Sequence, residues 1–372
     1  MTSPRPRRLA LNGKWLGQEL TGTQRYAREV TRHLLPLLSD RPILRVPARA
    51  VVPAWLEEGA EVRRSRVSGT VFEQVALPWA ARHDLLLSLG GVAPLLARRQ
   101  VATMHDATPF RLPETYSRAF RTWYRLMYRV VAHRASLVIT VSEFSRRDLS
   151  DVLGVDPDRL VVVPNGVDHV DRPGDDATAV LPAGAPDGSF VLMVGPPAVH
   201  KNIAPVAAAL ARQGVVVVVV GGGSHRVFGT SPGGGASAAL APSDPSGGRV
   251  QHLGRVTDTE LAALYHQAAA LVFPSLYEGF GLPVVEAQRL GCLVVAADRT
   301  SLPEVAGDGA LLVDPTSPDD VARQVVDLLA DPARAARLRD AGWENARRFS
   351  WDASAVRLAA ALSRLTAGAG RP

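Results

Sequence analysis

Short apolar runs alternate with helical stretches along almost the whole chain, and this alternation restricts the fold more than any other feature of the sequence. The runs predict strands at residues 9–12, 43–46, 85–89, 101–104, 137–141 and 161–163 in the first half. A second set follows at residues 190–194, 215–220, 250–252, 269–273, 293–296 and 310–313. Such alternation predicts an α/β fold of parallel sheets with helices on both faces. Ligands of these sheets bind beyond the carboxyl ends of the strands.

Two sets of strands indicate two domains, and the length of the chain agrees with this. A chain of 372 residues with 47% apolar side chains can fill two cores. The predicted boundaries are 1–170 for the first domain, 171–188 for a linker rich in Pro, Gly, Asp and Ala, 189–348 for the second domain and 349–372 for a terminal segment that carries a helix.

Charge and cysteine content narrow the class of protein. The net charge is +6, but the arginines are scattered among 36 acids, and no helix-turn-helix, zinc-finger or RNA-recognition motif is recognisable. We therefore expect no nucleic-acid partner. The single Cys292 cannot form an internal disulfide, and the apolar runs are far shorter than a membrane span. Both features favour a cytoplasmic location, either free or at the inner face of the membrane.

The segment after residue 273 has the pattern of an anion-binding turn. The predicted strand leads into a turn containing Gly281, and a helix then begins near Pro283. Free N–H groups at the start of this helix, on Phe280, Gly281 and Leu282, favour an anion such as a diphosphate. The sequence therefore predicts a phosphate cradle at this turn.

Two glutamates flank the same turn, with seven residues between them. Glu286 lies on a helix lined by apolar residues, where a carboxylate is costly unless it accepts hydrogen bonds, and ribose hydroxyls would supply them. Glu278 lies on the turn itself and could reach hydroxyls of a sugar beyond the diphosphate. Isolated glutamates are usually surface residues, but the intervening Gly-Phe-Gly-Leu-Pro favours a site here.

The segment Glu278-Gly-Phe-Gly-Leu-Pro-Val-Val-Glu286 resembles the Glu-x7-Glu signature of the retaining family-4 glycosyltransferases. Four further segments fall in the order of that family: Val-Val-Pro-Asn-Gly-Val-Asp at 162–168, His-Lys-Asn at 200–202, Leu-Gly-Arg-Val at 253–256 and Ser-Leu-Pro-Glu-Val at 301–305. The resemblance covers nearly the whole chain. It implies the GT-B fold: two Rossmann-like, doubly wound domains that face each other across a cleft, with a C-terminal helix that crosses back to the first domain.

The resemblance also implies which residues meet the nucleotide-sugar donor. Lys201 would bind the diphosphate, Glu278 would position the sugar, and Glu286 would hold the ribose. The residues expected at the donor are Gly22, Asn165, Gly195, Lys201, Asn202, Arg255, Val256, Phe280, Gly281, Leu282 and Glu286. Asn202 is also expected to start the next helix as a cap.

The sequence departs from the family pattern at a few positions. Pro196 and His200 stand where relatives carry arginine, which leaves Lys201 with less cationic help. Gln24 replaces a glycine in the loop after the first strand. The only lysines of the chain are Lys14 and Lys201, whereas every other basic site apart from histidine is arginine. A lysine at 201 therefore suggests that a compact point charge is needed there.

His105 is the candidate catalytic residue of the first domain, together with Glu278 in the second. It follows a predicted buried strand at the edge where ligands collect, and family members place a histidine near the sugar at this point. A lone histidine is often structural. We expect His105 to act by position and polarity rather than as a titrating base.

The stretch 118–134 predicts a helix with two possible environments. Its residues Arg118, Arg121, Arg125 and Arg129 recur every three or four positions and share one face. The helix could lie on an anionic membrane and serve a lipid-linked acceptor, or its aromatic residues could pack inside while the arginines face water. The segment Asp156-Pro157-Asp158 reads as a turn, and neither a metal nor a cofactor is expected.

The sequence thus predicts a retaining hexosyltransferase that uses a nucleoside-diphosphate sugar and a hydroxyl acceptor such as a glycan, a lipid-linked saccharide or a natural product. The text around residues 275–283 and 301–305 resembles mannosyl- and rhamnosyltransferase branches, which makes GDP-mannose the first expectation and a UDP-sugar the alternative. A noncatalytic sugar-nucleotide-binding protein would keep the same pocket. A pyridoxal-phosphate phosphorylase would need a Schiff-base lysine, and neither Lys14 nor Lys201 has the expected neighbourhood.

Overall fold

The computed structural model describes residues 8–91, 93–113, 117–171, 181–186, 189–222 and 248–368, which form two compact units. The first unit comprises Met1–Ala107, Thr122–Gly166 and Ser350–Pro372, and the second comprises Thr108–Arg121 and Val167–Phe349. Most of the predicted linker at 171–188 lies outside the described residues.

Thirteen described strands form two sheets in which every pairing is parallel. The strands of the first unit are β1 (Leu9–Asn12), β2 (Ile43–Val46), β3 (Glu61–Arg64), β4 (Leu85–Ser88), β5 (Gln100–Thr103), β6 (Leu137–Thr140) and β7 (Leu160–Val162). Those of the second unit are β8 (Val191–Val194), β9 (Val216–Val220), β10 (Arg249–Gly254), β11 (Ala270–Phe273), β12 (Val294–Ala297) and β13 (Leu311–Val313).

The first eleven helices lie in the connections between these strands, and the last three follow the final strand. They are α1 (Gly22–Leu34), α2 (Ala54–Gly59), α3 (Gly69–Val71), α4 (Leu77–Ala80), α5 (Thr108–Arg111), α6 (Arg118–Arg134), α7 (Glu143–Leu153), α8 (Ile203–Arg212), α9 (Asp258–Gln267), α10 (Leu282–Arg289), α11 (Leu302–Ala306), α12 (Pro318–Leu329), α13 (Pro332–Ala346) and α14 (Trp351–Gly368). A π-helical turn, Phe72–Ala76, joins α3 to α4. Among the described residues, no helix combines the length and the apolar character needed to cross a bilayer.

The seven-stranded sheet of the first unit has the order β3-β2-β1-β4-β5-β6-β7. The strand order reverses between β1 and β4, which is where doubly wound sheets bind ligands. The edge strand β3 was not predicted, because Val62 is the only apolar residue among its four. Charged side chains on an edge strand discourage pairing with another chain.

The terminal helix α14 packs on α1 within the first unit. Its Trp351 is fully buried, and its Ser354 hydroxyl donates to the Pro164 carbonyl at 2.7 Å. His33 on α1 also contacts Asp352, with 2.6 Å between Nδ1 and Oδ1. The chain thus returns to its first unit through α14, as the resemblance implied.

The six-stranded sheet of the second unit has the order β10-β9-β8-β11-β12-β13. Apolar clusters cover both faces: one includes Val191, Val206 and Val295, and the other includes Leu192 and Val284. Burial on both faces explains the nearly continuous apolar composition of these strands. It leaves the carboxyl edge of the sheet as the place where polar groups gather.

Candidate functional site

Glycines line the carboxyl edge of the second sheet, where three neighbouring strands end. Gly195 follows β8, Gly221 follows β9, and Gly254 ends β10. The Gly195 N–H donates to Val220, and the Gly221 N–H donates to Gly254, both at 2.8 Å. Gly221 has a φ of +144°, and a Cβ there would lie 2.1 Å from the Gly195 oxygen. Only glycine fits, so this edge presents backbone that a ligand can approach closely.

Lys201 and Glu278 form an ion pair beside this edge. The ammonium lies 2.6 Å from Oε1 of Glu278, and the two side chains are only 17% and 12% exposed. A backbone bond from Leu276 N to His200 O, at 2.7 Å, holds the two loops together. The Lys201 ammonium also lies 5.7 Å from the centroid of the Phe273 ring. The predicted phosphate and sugar residues are therefore neighbours.

Hydroxyl groups from the next loop shape the turn that carries Glu278. The Glu278 N–H donates to Oγ1 of Thr300 at 3.2 Å. The buried Ser301 hydroxyl lies 3.0 Å from the carbonyl oxygens of both Glu278 and Phe280. These bonds tie the backbone of the turn to the loop that carries Thr300 and Ser301.

Helix α10 begins at this turn without a side-chain cap. Its N-cap is Gly281, with a φ of +97°, and no side chain accepts hydrogen bonds from the first turn. The predicted cradle residues Phe280 and Leu282 flank Gly281, and the Phe280 ring packs edge-on against Phe349 at 5.4 Å. Uncapped N–H groups and the helix dipole favour an anion at this position.

Glu286 is buried in α10, and protein groups bond both of its carboxylate oxygens. His169 Nε2 lies 3.0 Å from Oε1, and the Tyr265 hydroxyl lies 3.3 Å from Oε2. Arg289, one turn further along α10, holds Asp171 at 2.7 Å and fixes the short helix that carries His169. His169 and Tyr265 thus supply hydrogen bonds that offset the burial of Glu286, and its contact with the ribose stays a prediction.

The remaining predicted donor residues of this unit take different positions. Asn202 adopts a φ of +53° and shapes the turn before α8, as expected, but its side chain does not cap that helix. It donates to the Pro315 carbonyl at 2.7 Å instead, because the left-handed backbone turns the side chain toward that loop. Arg255 follows the glycine that ends β10, and Val256 packs against the apolar core.

His105 lies at the corresponding carboxyl edge of the first sheet, just after β5. Its Nε2 lies 3.3 Å from the Leu89 carbonyl oxygen, and its ring packs edge-on against Tyr26 at 5.0 Å. Burial lowers the pKa of His105 to about 4, while the Leu89 carbonyl acts in the opposite direction. The imidazole is therefore neutral at pH 7. A proton on Nε2 leaves Nδ1 as a hydrogen-bond acceptor.

Two further predicted donor residues also belong to the first unit. Gly22 is the first residue of α1, and a Cβ added there would meet no atom within 4 Å. Sterics therefore do not require glycine at this position. Asn165 is buried, on the segment whose Pro164 carbonyl is bonded by α14.

The helix at 118–134 mixes the two environments that the sequence left open. Met127 and Tyr128 are buried, whereas Trp123 is 39% and Leu126 is 51% exposed. Arg118 and Arg129 are exposed as well. The helix thus exposes two apolar side chains as well as arginines.

Several residues of the second-unit site were not identified from the sequence: His169, Gly221, Tyr265, Thr300 and Ser301. Gly221 belongs to a glycine triplet after a strand, which is a weak signal alone. Ser301 begins one of the family-like segments, so its position was visible but its role was not. His169 and Tyr265 carried no signal, because their contacts with Glu286 span 117 and 21 residues of sequence.

Comparisons with known proteins agree with this geometry. The model described as "Glycosyl transferases group 1" matches residues 183–345, and "Glycosyltransferase Family 4" matches residues 73–171. The chain is 30% identical over 266 residues to the O-antigen chain mannosyltransferase B of Escherichia coli, which covers 70% of this chain and 68% of that protein. It is 32% identical over 256 residues to the MMP alpha-(1->4)-mannosyltransferase of Mycolicibacterium hassiacum, covering 66% of this chain and 59% of that protein.

Solved structures share the fold at lower identity. Sucrose-phosphate synthase from Thermosynechococcus elongatus has a TM-score of 0.71 at 19% identity, covering 97% of this chain and all of that one. Anabaena HepE in complex with UDP and glucose has a TM-score of 0.67 at 19% identity, covering 96% of this chain and all of that one. Together with the two-sheet α/β architecture, these matches show that the chain is a glycosyltransferase enzyme of GT-B fold that belongs to the mannosyltransferase-like part of family 4.

Proposed function

We propose that this glycosyltransferase moves mannose from GDP-mannose to a hydroxyl of a glycan acceptor, with retention of the anomeric configuration. Support for mannose comes from relatives named as mannosyltransferases in Escherichia coli, Mycolicibacterium hassiacum and Salmonella typhimurium. Support for a diphosphate comes from the cation and the uncapped helix start that meet at the carboxyl edge of the second sheet.

The 2.6 Å pair between Lys201 and Glu278 is the observation that carries this proposal. A diphosphate brings more negative charge than one carboxylate, so it competes with Glu278 for the ammonium. Once displaced, the carboxylate of Glu278 is free to accept hydrogen bonds from the hydroxyls of the attached sugar. Lys201 then stabilises the charge that grows on the leaving phosphate as the glycosidic bond breaks.

Glu286 keeps a place for the ribose despite its two protein partners. A carboxylate has about four acceptor positions, and His169 and Tyr265 occupy one on each oxygen. We propose that this carboxylate also accepts a hydrogen bond from a ribose hydroxyl. The protein partners fix its orientation, so the ribose would meet a preorganised acceptor.

His105 acts in this proposal as a neutral hydrogen-bond acceptor that lines the reaction centre. Its low pKa excludes a charged imidazolium at pH 7. No covalent nucleophile is needed: the departing phosphate oxygen helps to take the acceptor proton on the same face of the sugar. We also propose that neither a metal nor a cofactor takes part, so transfer should survive treatment with EDTA.

A UDP-sugar is the second candidate donor, because the structurally similar HepE was solved with UDP and glucose. Calorimetric titration with GDP, GDP-mannose, UDP and UDP-glucose tests the base directly. Acceptor-dependent release of the nucleoside diphosphate then separates an enzyme from a noncatalytic sugar-nucleotide-binding protein. NMR of the product's anomeric proton reports whether configuration is retained.

We further propose that the acceptor is lipid-linked and that α6 contacts an anionic membrane surface. The helix exposes Trp123 and Leu126 beside Arg118 and Arg129. Aromatic and cationic side chains together favour the interface of an anionic bilayer. Cosedimentation with phosphatidylglycerol vesicles should fall in a Trp123→Ser, Leu126→Ser variant. Equal binding by that variant would contradict the contact.

A further inference from the structure

The first unit contains an ion pair that matches the one at the proposed donor site. Lys14 Nζ lies 2.6 Å from Oε2 of Glu73, the same separation as between Lys201 and Glu278. The chain has two lysines in all, and each bonds a glutamate. Glu73 lies on the π-helical turn Phe72–Ala76, a local distortion that often accompanies functional sites.

Glu73 is buried with one oxygen unbonded. Its side chain is 2% exposed, whereas that of Lys14 is 22% exposed. Oε2 receives Lys14 and, at 3.4 Å, the Gln74 amide, but Oε1 has no hydrogen-bond partner among the described residues. The nearby Asn12 amide also donates to the Ser88 hydroxyl at 3.2 Å. A buried acceptor without a donor is unfavourable, and a ligand hydroxyl that donated to it would offset that cost.

The pair lies at the ligand edge of the first sheet. Asn12 ends β1 and Lys14 follows it, Ser88 ends the adjacent strand β4, and His105 follows β5 beside it. Strands are spaced by about 4.8 Å, so the ends of β1 and β5 are separated by roughly 10 Å. Lys14 and Glu73 therefore lie close to His105 without contributing to the donor residues of the second unit.

Tyr124 on α6 faces the same group of charges. Burial, followed by the charges of Glu73 and Asp106, raises the pKa of its hydroxyl to about 12. Burial also raises the pKa of Glu73, while Lys14 and the amides of Gln74 and Asn12 act against it. The edge of the sheet thus carries a cation paired with a buried acid, and the charge of that acid reaches Tyr124 on α6.

We infer that Lys14 and Glu73 form a binding subsite for the polyhydroxylated acceptor. The inference rests on the proposed transferase function and adds the acceptor side to it. A sugar hydroxyl both donates and accepts, so one hydroxyl can accept from the accessible ammonium while it or its neighbour donates to Glu73. A ligand would contact Lys14 first, because its side chain is the more exposed of the two, and Glu73 fixes the position of the Lys14 ammonium. The expected ligand class is a neutral polyol, namely a sugar or a cyclitol.

The low number of lysines allows the subsite to be tested without an activity assay. Reductive methylation of the full-length protein, followed by peptide mass spectrometry, gives separate labelling rates for Lys14 and Lys201. GDP and UDP should slow the labelling of Lys201 alone. At least one of three probes, methyl α-D-mannopyranoside, methyl α-D-glucopyranoside or myo-inositol, should slow the labelling of Lys14 alone.

Variants supply the second test. Lys14→Met and Glu73→Gln should raise the KM for acceptor at least tenfold, while the KM for donor and the slow hydrolysis of the donor by water stay unchanged. Lys14→Arg, which keeps the charge, should recover part of the loss. Glu61→Gln is the matched control, because Glu61 forms a 2.6 Å pair with Arg8 at an exposed edge of the same unit. It should change none of these values.

The outcomes separate the inference from the function on which it rests. If neither nucleotide protects Lys201, the proposed donor site fails. If a nucleotide protects Lys201 but none of the three polyols slows Lys14, the acceptor subsite fails alone. Equal effects of Lys14→Met on the transfer reaction and on donor hydrolysis would also overturn it, since they would indicate a general structural role.

Discussion

Glu278 and the donor diphosphate compete for the Lys201 ammonium in this proposal. Once that ammonium is removed, the carboxylate of Glu278 should repel the diphosphate. In Lys201→Met, the diphosphate loses its cationic partner, and Glu278 loses its 2.6 Å ion pair. The carboxylate is then an unpaired, largely buried charge beside the phosphate. In the double variant Lys201→Met, Glu278→Gln, both charges are absent.

The expected loss of affinity follows from the strength of a charged hydrogen bond and from the burial of Glu278. A hydrogen bond to a charged group contributes about 1.5–3 kcal/mol, so Lys201→Met should weaken nucleoside-diphosphate binding about 10- to 150-fold. Two like charges about 4 Å apart repel by about 1 kcal/mol in water and about 4 kcal/mol near a protein surface. Because Glu278 is 12% exposed, its repulsion should fall between these limits. The double variant should therefore bind the diphosphate at least fivefold more tightly than Lys201→Met.

We expect a double-mutant cycle to measure these effects, by calorimetric titration of the wild type, both single variants and the double variant with GDP and UDP. Glu278→Gln alone should bind the diphosphate as tightly as the wild type or more tightly, because the Lys201 ammonium is released from its ion pair. Competition between Glu278 and the diphosphate is refuted if Lys201→Met binds the nucleotides like the wild type. It is also refuted if the double variant binds them no better than Lys201→Met.

Three further predictions concern stability and the ribose. The pKa of His105 is about 4 in the folded protein, below its usual 6.5. The neutral imidazole therefore contributes a free energy of unfolding that is complete above pH 6.5 and is lost as the pH falls toward 4. The loss is at most about 3 kcal/mol. The free energy of unfolding, measured in urea, should fall less for His105→Asn than for the wild type between pH 7 and pH 4.5. Gly281→Ala should lower the free energy of unfolding in urea by about 2–5 kcal/mol, because a Cβ there lies 2.5 Å from Leu302 and the φ is +97°. The control Gly291→Ala should lower it by only about 1–2 kcal/mol, because the φ is +73° but the space around it is open. Glu286→Gln should reduce the preference for GDP over 2′-deoxy-GDP from about tenfold to near unity in calorimetry, and an unchanged preference would remove the ribose role.

Apolar periodicity was sufficient to predict most of the fold. Twelve of the thirteen described strands coincide with predicted runs, because buried parallel strands need continuous apolar residues. The exception, the edge strand β3, carries the sequence Glu-Val-Arg-Arg. Backbone pairing leaves no trace in side-chain hydrophobicity, so this strand could not be found by its pattern.

The candidate site was predicted where local chemistry fixes it. The turn at Gly281 and the helix after it follow from glycine and proline at fixed spacing. Long-range contacts could not be predicted in this way. The partners of Glu286, the carbonyl that receives Asn202 and the pair between Lys14 and Glu73 each join segments far apart in sequence.

The rate of sugar transfer by Glu278→Gln measures whether this carboxylate positions the sugar. Release of nucleoside diphosphate from GDP-mannose and from UDP-glucose is followed with and without acceptor, and the urea midpoint is measured on the same preparation. We expect acceptor-dependent release by the wild type from one of the two donors, a loss of about 100-fold in the variant and an unchanged midpoint. Full transfer activity in Glu278→Gln would exclude this role for Glu278.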